Sequence, residues 1–446
     1  MMINRSYLQR SLKNNPLVQF VFIVYILIIT KYFEKNKDKW LDFQKERLVK
    51  ILSYAQKHCQ YYNRILAKRV ITNKNAIKLL QSLPFLDKQI IQKIGREIYS
   101  DEITEHWKLW VNTGGSTGNP LKFPALYHGL PLEAICQMML YRKMGYKLGD
   151  VIVSVGGNRV SETDLNNNIY WETRGNFPYG KVKLSTLYLN ISTIRYYWNK
   201  LNTTKPQYIR GYPSGITDLC KLAQEKQLPM KFQLKGVYLS SENFTQADKE
   251  LIGNFFHCPV YGQYGHTESS VFAIQNSKED FYLCNPIYGY TEILNGSGNH
   301  VKVGETGEIV VTGFVEYGLP FIRYKTGDLA IYGGKTEYGE TIIKELLGRS
   351  ADYIINNNNE KIYLVGFIFG GHLKAFNYIE AWQIRQSQVG KIELYIVRGK
   401  GYSDNIEKEL IELFINNYFT VNVKYVNTIK KTPRGKQKFL IQEVEL

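Results

Sequence analysis

Between Trp110 and Pro120 the chain reads Trp-Val-Asn-Thr-Gly-Gly-Ser-Thr-Gly-Asn-Pro, with glycines and hydroxyl side chains filling every position from Thr113 to Gly118. Glycine lets a backbone turn tightly and approach a bulky anion. Successive backbone N–H groups in such a turn form a concave anion site. The hydroxyls of Thr113, Ser116 and Thr117 add donors around Gly114, Gly115 and Gly118. The chemistry implied is a grip on polyphosphate. No Gly-Lys-Ser/Thr closes the loop and no G-x-G-x-x-G is present, so it is neither the usual P-loop nor a dinucleotide fingerprint. Taken alone it reads equally well as a flexible turn.

Five more segments follow in the chain. They are Gly-Val-Tyr-Leu-Ser-Ser-Glu at 236–242, Tyr-Gly-His-Thr-Glu at 264–268, Arg-Tyr-Lys-Thr-Gly-Asp at 323–328, Gly348-Arg349, and Lys-Thr-Pro-Arg-Gly-Lys-Gln-Lys at 431–438. Each has an ordinary reading as turn chemistry or a solvated basic end. In this order, after the Thr113–Gly118 loop, they resemble the motifs of the adenylate-forming superfamily of acyl-CoA synthetases, peptide-synthetase adenylation domains and luciferases.

The resemblance implies roles residue by residue. The 113–118 loop would hold the ATP phosphates. Ser241 and Glu242 would lie in the strand and turn lining one side of the adenine. Tyr264, beside Gly265, would stack on that base, and an aromatic face suits a purine. Thr267 would bond the α-phosphate. Glu268 would bind Mg²⁺, as hard carboxylate oxygen does. Asp328 would accept from both ribose hydroxyls, since a carboxylate offers acceptors only. Arg349 would sit near ribose and phosphate. Lys436 would meet the negative charge that builds as the carboxylate attacks phosphorus.

The Leu-Pro-Phe-Leu-Asp-Lys run at 83–88, the Ser-Ser-Glu turn and the Arg-Tyr-Lys-Thr-Gly-Asp string are similar to the phenylacetate–CoA ligase branch and its CapK-like members from capsular-polysaccharide loci. That likeness covers most of the chain from about residue 45. Two departures bear on chemistry. Relatives read Gly-Arg-x-Asp-Asp at the hinge, whereas here Ala351 precedes Asp352. CoA-using members carry a glycine loop soon afterwards, whereas here residues 356–362 are Asn-Asn-Asn-Asn-Glu-Lys-Ile and the next glycine is Gly366. CoA as acceptor is therefore doubted, and an amine or hydroxyl acceptor in surface-polysaccharide assembly is expected. The stretch 269–282 has no Cys or His, so no zinc is expected.

The elements that must position these residues are legible in the apolar spacing. Residues 40–68 read as one helix on Leu41, Leu48, Ile51, Leu52 and Ala55, and residues 88–94 as another, beyond the break at 83–86. Short apolar runs at 151–155, 208–211, 236–240 and 260–261 alternate with helical stretches, the pattern of α/β layers. From 280 to 347 the texture is mostly strand. Strands at 391–397 and 421–426 enclose a helix at 406–418. The fold class expected is α/β. A large AMP-binding domain at 41–348, with layered α/β subdomains and a β-rich part, follows a basic and apolar helical segment at 1–40. A small mobile α+β lid at 349–446 completes the chain. Parts of 208–214 and 236–241 are expected to line the acid's pocket.

Composition bounds the alternatives. The 446 residues carry 57 Lys and Arg against 40 Asp and Glu, a formal charge of +17. The cations scatter, and no zinc-finger, RNA-recognition or helix-turn-helix signature is present, so nucleic acid is not the expected partner. The five cysteines are widely spaced without C-x-x-C, which fits buried thiols in a reducing cytoplasm. The 34 tyrosines read as sequence bias and half-buried surface. No G-x-S-x-G elbow or paired carboxylates announce a hydrolase. Arg5, Arg10 and Lys13 precede an apolar run at 17–29, and Lys31, Lys35, Lys37 and Lys39 follow it. That run is short for a membrane span. Two readings stay open: a helix packed on protein, or one lying on the inner membrane face. Two rivals to the acyl-transfer reading also remain, a plain aryl- or acyl-CoA ligase and a non-catalytic nucleotide-binding scaffold. The oligomeric state has no signature.

Overall fold

A computed structural model describes residues 15–103, 109–112, 121–126, 131–173, 175, 177–349, 353–364, 378–399, 401–429 and 439–444. Thr113, Gly114, Gly115, Ser116, Thr117 and Gly118 of the phosphate loop, Ala351, Asp352, Gly366 and Lys436 lie outside the described residues.

Helices open the chain: α1 (Pro16–Lys35), α2 (Trp40–His58), α3 (Gln60–Ile65), α4 (Ala76–Gln81) and α5 (Lys88–Ile94). The stretch read as one helix from 40 to 68 breaks at Cys59, whose extended backbone (φ −121°, ψ 118°) turns the chain between α2 and α3. The predicted stripe Leu48, Ile51, Leu52 and Ala55 is buried, while Leu41 stays exposed. Strands β1 (Leu109–Asn112) and β2 (Lys122–Ala125) pair antiparallel around the phosphate loop. Helix α6 (Leu132–Lys143) is buried over most of its length.

Strands and helices then alternate as the apolar runs predict: β3 (Ile152–Gly156), α7 (Glu162–Asn166), β4 (Trp171–Thr173), β5 (Val182–Ser185), α8 (Ile194–Thr204), β6 (Tyr208–Gly211), α9 (Pro213–Glu225), β7 (Gly236–Ser240), α10 (Gln246–Phe256) and β8 (Val260–Gly265). Antiparallel strands β9 (Phe272–Gln275), β10 (Tyr282–Cys284), β11 (Gly289–Leu294), β12 (Thr306–Gly313), β13 (Tyr324–Lys335) and β14 (Thr341–Arg349) follow. All but β1 and β2 join one twelve-stranded sheet ordered β11-β12-β13-β14-β10-β9-β8-β7-β6-β3-β5-β4. The expected α/β part and β-rich part are thus two halves of one sheet. Strand β8 makes the join, pairing parallel with β7 and antiparallel with β9.

Side chains alternate across the parallel half. Val153, Val155, Ile209, Val237 and Leu239 share a core with Trp198 of α8, Ile216 of α9 and Ile252 of α10. Ile152, Tyr208 and Tyr238 belong to the other core, with Ile135 and Met139 of α6. Tyrosine is a correction to the sequence reading: Tyr62, Tyr141, Tyr197, Tyr208, Tyr238 and Tyr288 are fully buried. Their hydroxyls find partners inside, as Tyr238 does on Gln137 (2.6 Å), which makes that burial tolerable. All five cysteines are free, and only Cys258 is not fully buried.

After β14 comes the hairpin β15 (Tyr353–Ile355) and β16 (Lys361–Tyr363), then a four-stranded sheet ordered β19-β18-β17-β20. It comprises β17 (Ile379–Gln388), β18 (Lys391–Arg398), β19 (Thr420–Tyr425) and β20 (Leu440–Gln442), with α11 (Asp404–Ile415) packed on it. Gln386 binds both the N–H and the carbonyl of Ile355, each at 2.7 Å, which ties the hairpin to this sheet. The core here, built on Ile354, Ile384, Leu394, Leu410 and Phe414, shares no residue with the two cores before Arg349.

Candidate nucleotide site

The parallel strands end on one edge of the sheet, where ligands bind in open α/β folds. Strand β8 delivers Tyr264 and Gly265 there. A Cβ at Gly265 would stand 3.1 Å from the Val271 carbonyl oxygen, so a side chain cannot be added without moving backbone. Strand β13, which begins at Tyr324 and carries Asp328, is separated from β8 in the sheet by β14, β10 and β9, and its start comes close to the end of β8. Tyr264 donates its hydroxyl to Asp328 Oδ2 at 2.7 Å. Burial, and then the Asp328 carboxylate, push the Tyr264 phenol far above its usual range, so it stays a donor. Asp328 Oδ1 lies 3.6 Å from Arg349 Nε, because β13 and β14 set Asp328 opposite Arg349. The Asp328 N–H is held by Thr326 Oγ1 at 3.1 Å, and that hydroxyl in turn donates to the Ile309 carbonyl.

Just past β8, Glu268 is buried in the turn that carries His266 and Thr267. Tyr324 donates to Glu268 Oε1 at 3.1 Å, and His266 Nδ1 lies 3.3 Å from Oε2. Burial raises the Glu268 carboxyl, but His266 and Tyr324 outweigh it and hold the group below its ordinary value. Glu268 is therefore favoured in its carboxylate form. Both ring nitrogens of His266 are buried without a hydrogen-bond partner among the described residues. That turn also leaves Thr267 exposed, with its hydroxyl accessible. Among the described residues no three His, Cys, Asp or Glu cluster to hold a metal alone. One carboxylate suits Mg²⁺ that arrives with phosphate oxygens, since that ion keeps most of its shell on water and substrate.

Sequence reasoning assigned no role to Lys88. Residues 83–88 are stitched to β13: Leu86 N–H donates to Arg323 O (3.1 Å), and Lys325 N–H donates to Leu86 O (2.7 Å). Arg323 completes the clip from a left-handed backbone (φ 49°). Its guanidinium donates to the Gln81 and Leu83 carbonyls and stacks on Phe85, with Nε 3.5 Å from buried Glu292. Asp87 caps α5 by accepting from Ile90 N–H at 2.7 Å. Lys88, the first residue of α5, then lies within electrostatic reach of Arg349 and Glu268. Burial and the nearby Arg349 guanidinium pull its ammonium below the usual lysine range, while Glu268 pulls the other way. The available signal was its place directly after the Leu-Pro-Phe-Leu-Asp run.

On the adjoining strand, Ser241 takes a left-handed backbone (φ 73°) at the end of β7, a strained state for a serine. The turn aims Glu242 back at α9, where Oε2 accepts from Ser214 N–H (3.2 Å) and Ser214 Oγ (2.8 Å). Within the predicted acid-pocket segments, Arg210 of β6 and Tyr238 of β7 share the α6 face of the sheet. The Arg210 guanidinium stacks on Tyr238 and Tyr179 and donates to the Pro178 carbonyl at 3.3 Å. The structure thus gathers Tyr264, Gly265, Glu268, Asp328, Arg349 and Lys88 in one place, with Ser241 and Glu242 on the next strand. Phosphate-loop residues 113–118 and Lys436 lie outside the described residues.

No family model matches the chain. In sequence it is 24% identical to the protein CapK of Staphylococcus aureus over 428 residues, 93% of each chain. In structure it is similar to a 2-hydroxyisobutyryl-CoA ligase solved with an acyl-AMP in its postadenylation state, at TM-score 0.67 and 18% identity over 90% of this chain and 88% of that one. Against the same ligase in its thioesterification state with CoA the TM-score is 0.54. The GH3.15 acyl acid amido synthetase aligns at TM-score 0.57 and 15% identity over 89% and 88%. These likenesses show the architecture: the chain has the fold of the adenylate-forming ligases and resembles CapK along nearly its whole length.

Proposed function

We propose that this chain is an AMP-forming ligase that activates a carboxylate with ATP and passes the acyl group to an amine or hydroxyl in surface-polysaccharide assembly. The observation that carries the reading is the convergence of Tyr264, Asp328 and Arg349 with Glu268 and Lys88, drawn from four separate segments. Asp328 and Tyr264 would provide a carboxylate and a half-buried ring for ribose and adenine. Thr267 offers a hydroxyl to the α-phosphate. Lys88 and Arg349 supply positive charge, the field a developing phosphorane needs. Bound with the phosphates, Mg²⁺ at Glu268 would neutralise the leaving pyrophosphate.

In the first step a substrate carboxylate oxygen attacks the α-phosphorus. The bond to the bridging oxygen breaks, pyrophosphate leaves with that electron pair, and acyl-AMP forms. Lys436, with the phosphate loop 113–118, is assigned to this step by the motif match. In the second step the acceptor attacks the acyl carbon, AMP leaves, and the acceptor loses its proton. The segment 349–446, with a core of its own, would act as the lid that excludes water between steps. Arg210 on the pocket face favours an acid carrying a second polar or anionic group. Support for a non-thiol acceptor is the tight Asn356–Glu360 turn, where Asn356 Oδ1 accepts from Asn358 and Glu360 N–H, in place of a glycine loop. A second reading, thioester formation with CoA, draws on the fold shared with a CoA ligase.

The test is acid-dependent pyrophosphate release from ATP over a panel of amino, hydroxy, uronic and aryl acids, with Lys436→Ala as control. Turnover with one class, lost in the variant, supports adenylation. ATP binding without turnover on any acid overturns it in favour of a scaffold. Mass analysis of products with CoA, amines and sugars separates the acceptors, and efficient acyl-CoA formation without amide or ester overturns the acceptor assignment.

A further inference from the structure

Helix α1 is apolar on two opposite faces. One is covered: Ile23, Ile26, Thr30 and Phe33 are buried against the enzyme, and Glu34 pairs with Arg142 of α6 at 2.8 Å. Trp40 Nε1–H bonds the Phe33 carbonyl near the C-terminal end, and the Phe22 and Phe177 ring centroids lie 6.5 Å apart. The other face is open. Leu17, Val21, Tyr25, Ile28 and Tyr32 recur at three- and four-residue spacing and align on it. Leu17 is 71% exposed, Val21 60% and Ile28 64%. The stripe runs for about 22 Å at the helical rise. An exposed apolar strip of that length is unusual on a soluble surface.

Charge says what covers it. No acid occurs between Pro16 and Phe33. Glu34 is turned to Arg142, and Lys31, Lys35 and Lys39 are exposed at the C-terminal end, with Asp38 among them. A second copy would bring the same cations to this face, whereas anionic lipid headgroups complement them. By length and composition α1 is apolar enough to cross a bilayer. Spanning would strip its inner face from α6, however, and expose Ile26 and Phe33. Lying flat keeps that packing and buries only the open stripe.

We propose that α1 seats the enzyme on an anionic phospholipid surface, with Leu17, Val21, Tyr25, Ile28 and Tyr32 in the acyl–headgroup boundary and Lys31 and Lys35 on the phosphates. This geometry matches that of interfacial amphipathic helices. It holds whichever acid the ligase site takes.

The experiment is co-sedimentation of the full chain with vesicles of phosphatidylcholine alone or with about one-third phosphatidylglycerol. The wild type pellets with the anionic vesicles only. Val21→Glu/Ile28→Glu lowers the bound fraction roughly tenfold, and Lys31→Glu/Lys35→Glu lowers it and abolishes its salt dependence. An environment-sensitive dye on Ile28→Cys shifts to the blue on binding. Melting curves confirm the folded state, and the lysine pair keeps the test open if the glutamate pair unfolds. Wild type left in the supernatant with both vesicles overturns the proposal. So does a pelleted protein whose dye still reports water, or a lipid-free dimer that Val21→Glu/Ile28→Glu dissociates.

Discussion

Tyr264 and Asp328 lie 64 residues apart in sequence and share a 2.7 Å hydrogen bond from phenol to carboxylate. The Asp328 carboxylate is thereby oriented, with one oxygen held by Tyr264 and the other facing Arg349, as the proposed ribose contact would require. Tyr264→Phe keeps the ring and removes the donor. A hydrogen bond to a charged group contributes about 1.5–3 kcal/mol, so KM for ATP should rise roughly tenfold or more with melting temperature little changed. Asp328→Ala should cost more, because the ribose acceptors go as well. Pyrophosphate-release kinetics over an ATP titration distinguish the two.

Lys88 stands at the start of α5 within electrostatic reach of Arg349 and Glu268. Removing a cation that meets transition-state charge costs about 3 kcal/mol, roughly a hundredfold in rate. Lys88→Ala should therefore lower the adenylation kcat while ATP binding falls less, and Lys88→Arg should restore part of it. A variant with unchanged kcat would remove Lys88 from the site.

Glu268 carries a testable pH signature. Its folded carboxyl is held below the ordinary value, with burial opposing and His266 and Tyr324 prevailing. Its contribution to stability is therefore present above the unfolded carboxylate range and lost as pH falls through the folded value. Thermal melts from pH 6 down to 3, about the range where carboxylates titrate, should fall less steeply for Glu268→Gln. The same variant should need a higher Mg²⁺ concentration for half-maximal activity.

Glu316 behaves oppositely. Burial pushes its carboxyl up to about 7, against the N–H groups of Leu126 and Gly318 that bond Oε1. Between the unfolded value near 4.3 and about 7, the native state holds a proton that the unfolded state has released. Stability falls as pH rises through that window. Melting temperature measured from pH 5 to 8 should show this decline in wild type and a flatter course in Glu316→Gln.

Arg323 clips residues 81–85 to β13 with carbonyl bonds, a ring contact and buried Glu292. Arg323→Ala leaves Glu292 buried without its cation, a loss of about 3–5 kcal/mol. Urea denaturation should show that loss, and adenylation should fall with it because Lys88 loses its support.

By itself the sequence determined most of the elements and carried the motifs on which the family resemblance rests. Short apolar runs became β6 and β7 at the expected bounds, because burial on both faces leaves a short strand few alternatives. The Tyr-Gly-His-Thr-Glu and Thr-Gly-Asp strings were legible as a resemblance to adenylate-forming motifs, from which the purine, ribose and magnesium roles are proposed. What depended on distance through space was not. Nothing local says that β8 joins the two halves of one sheet, that Cys59 breaks a helix whose apolar spacing continues, or that Arg323's clip brings Lys88 within electrostatic reach of Glu268. Nor does it say that so many tyrosines are buried, or that α1 leaves one apolar face bare. Those outcomes were decided by packing, where each side chain answers to neighbours tens or hundreds of residues away. Periodicity records which faces are apolar, while the tertiary fold decides which of them meet.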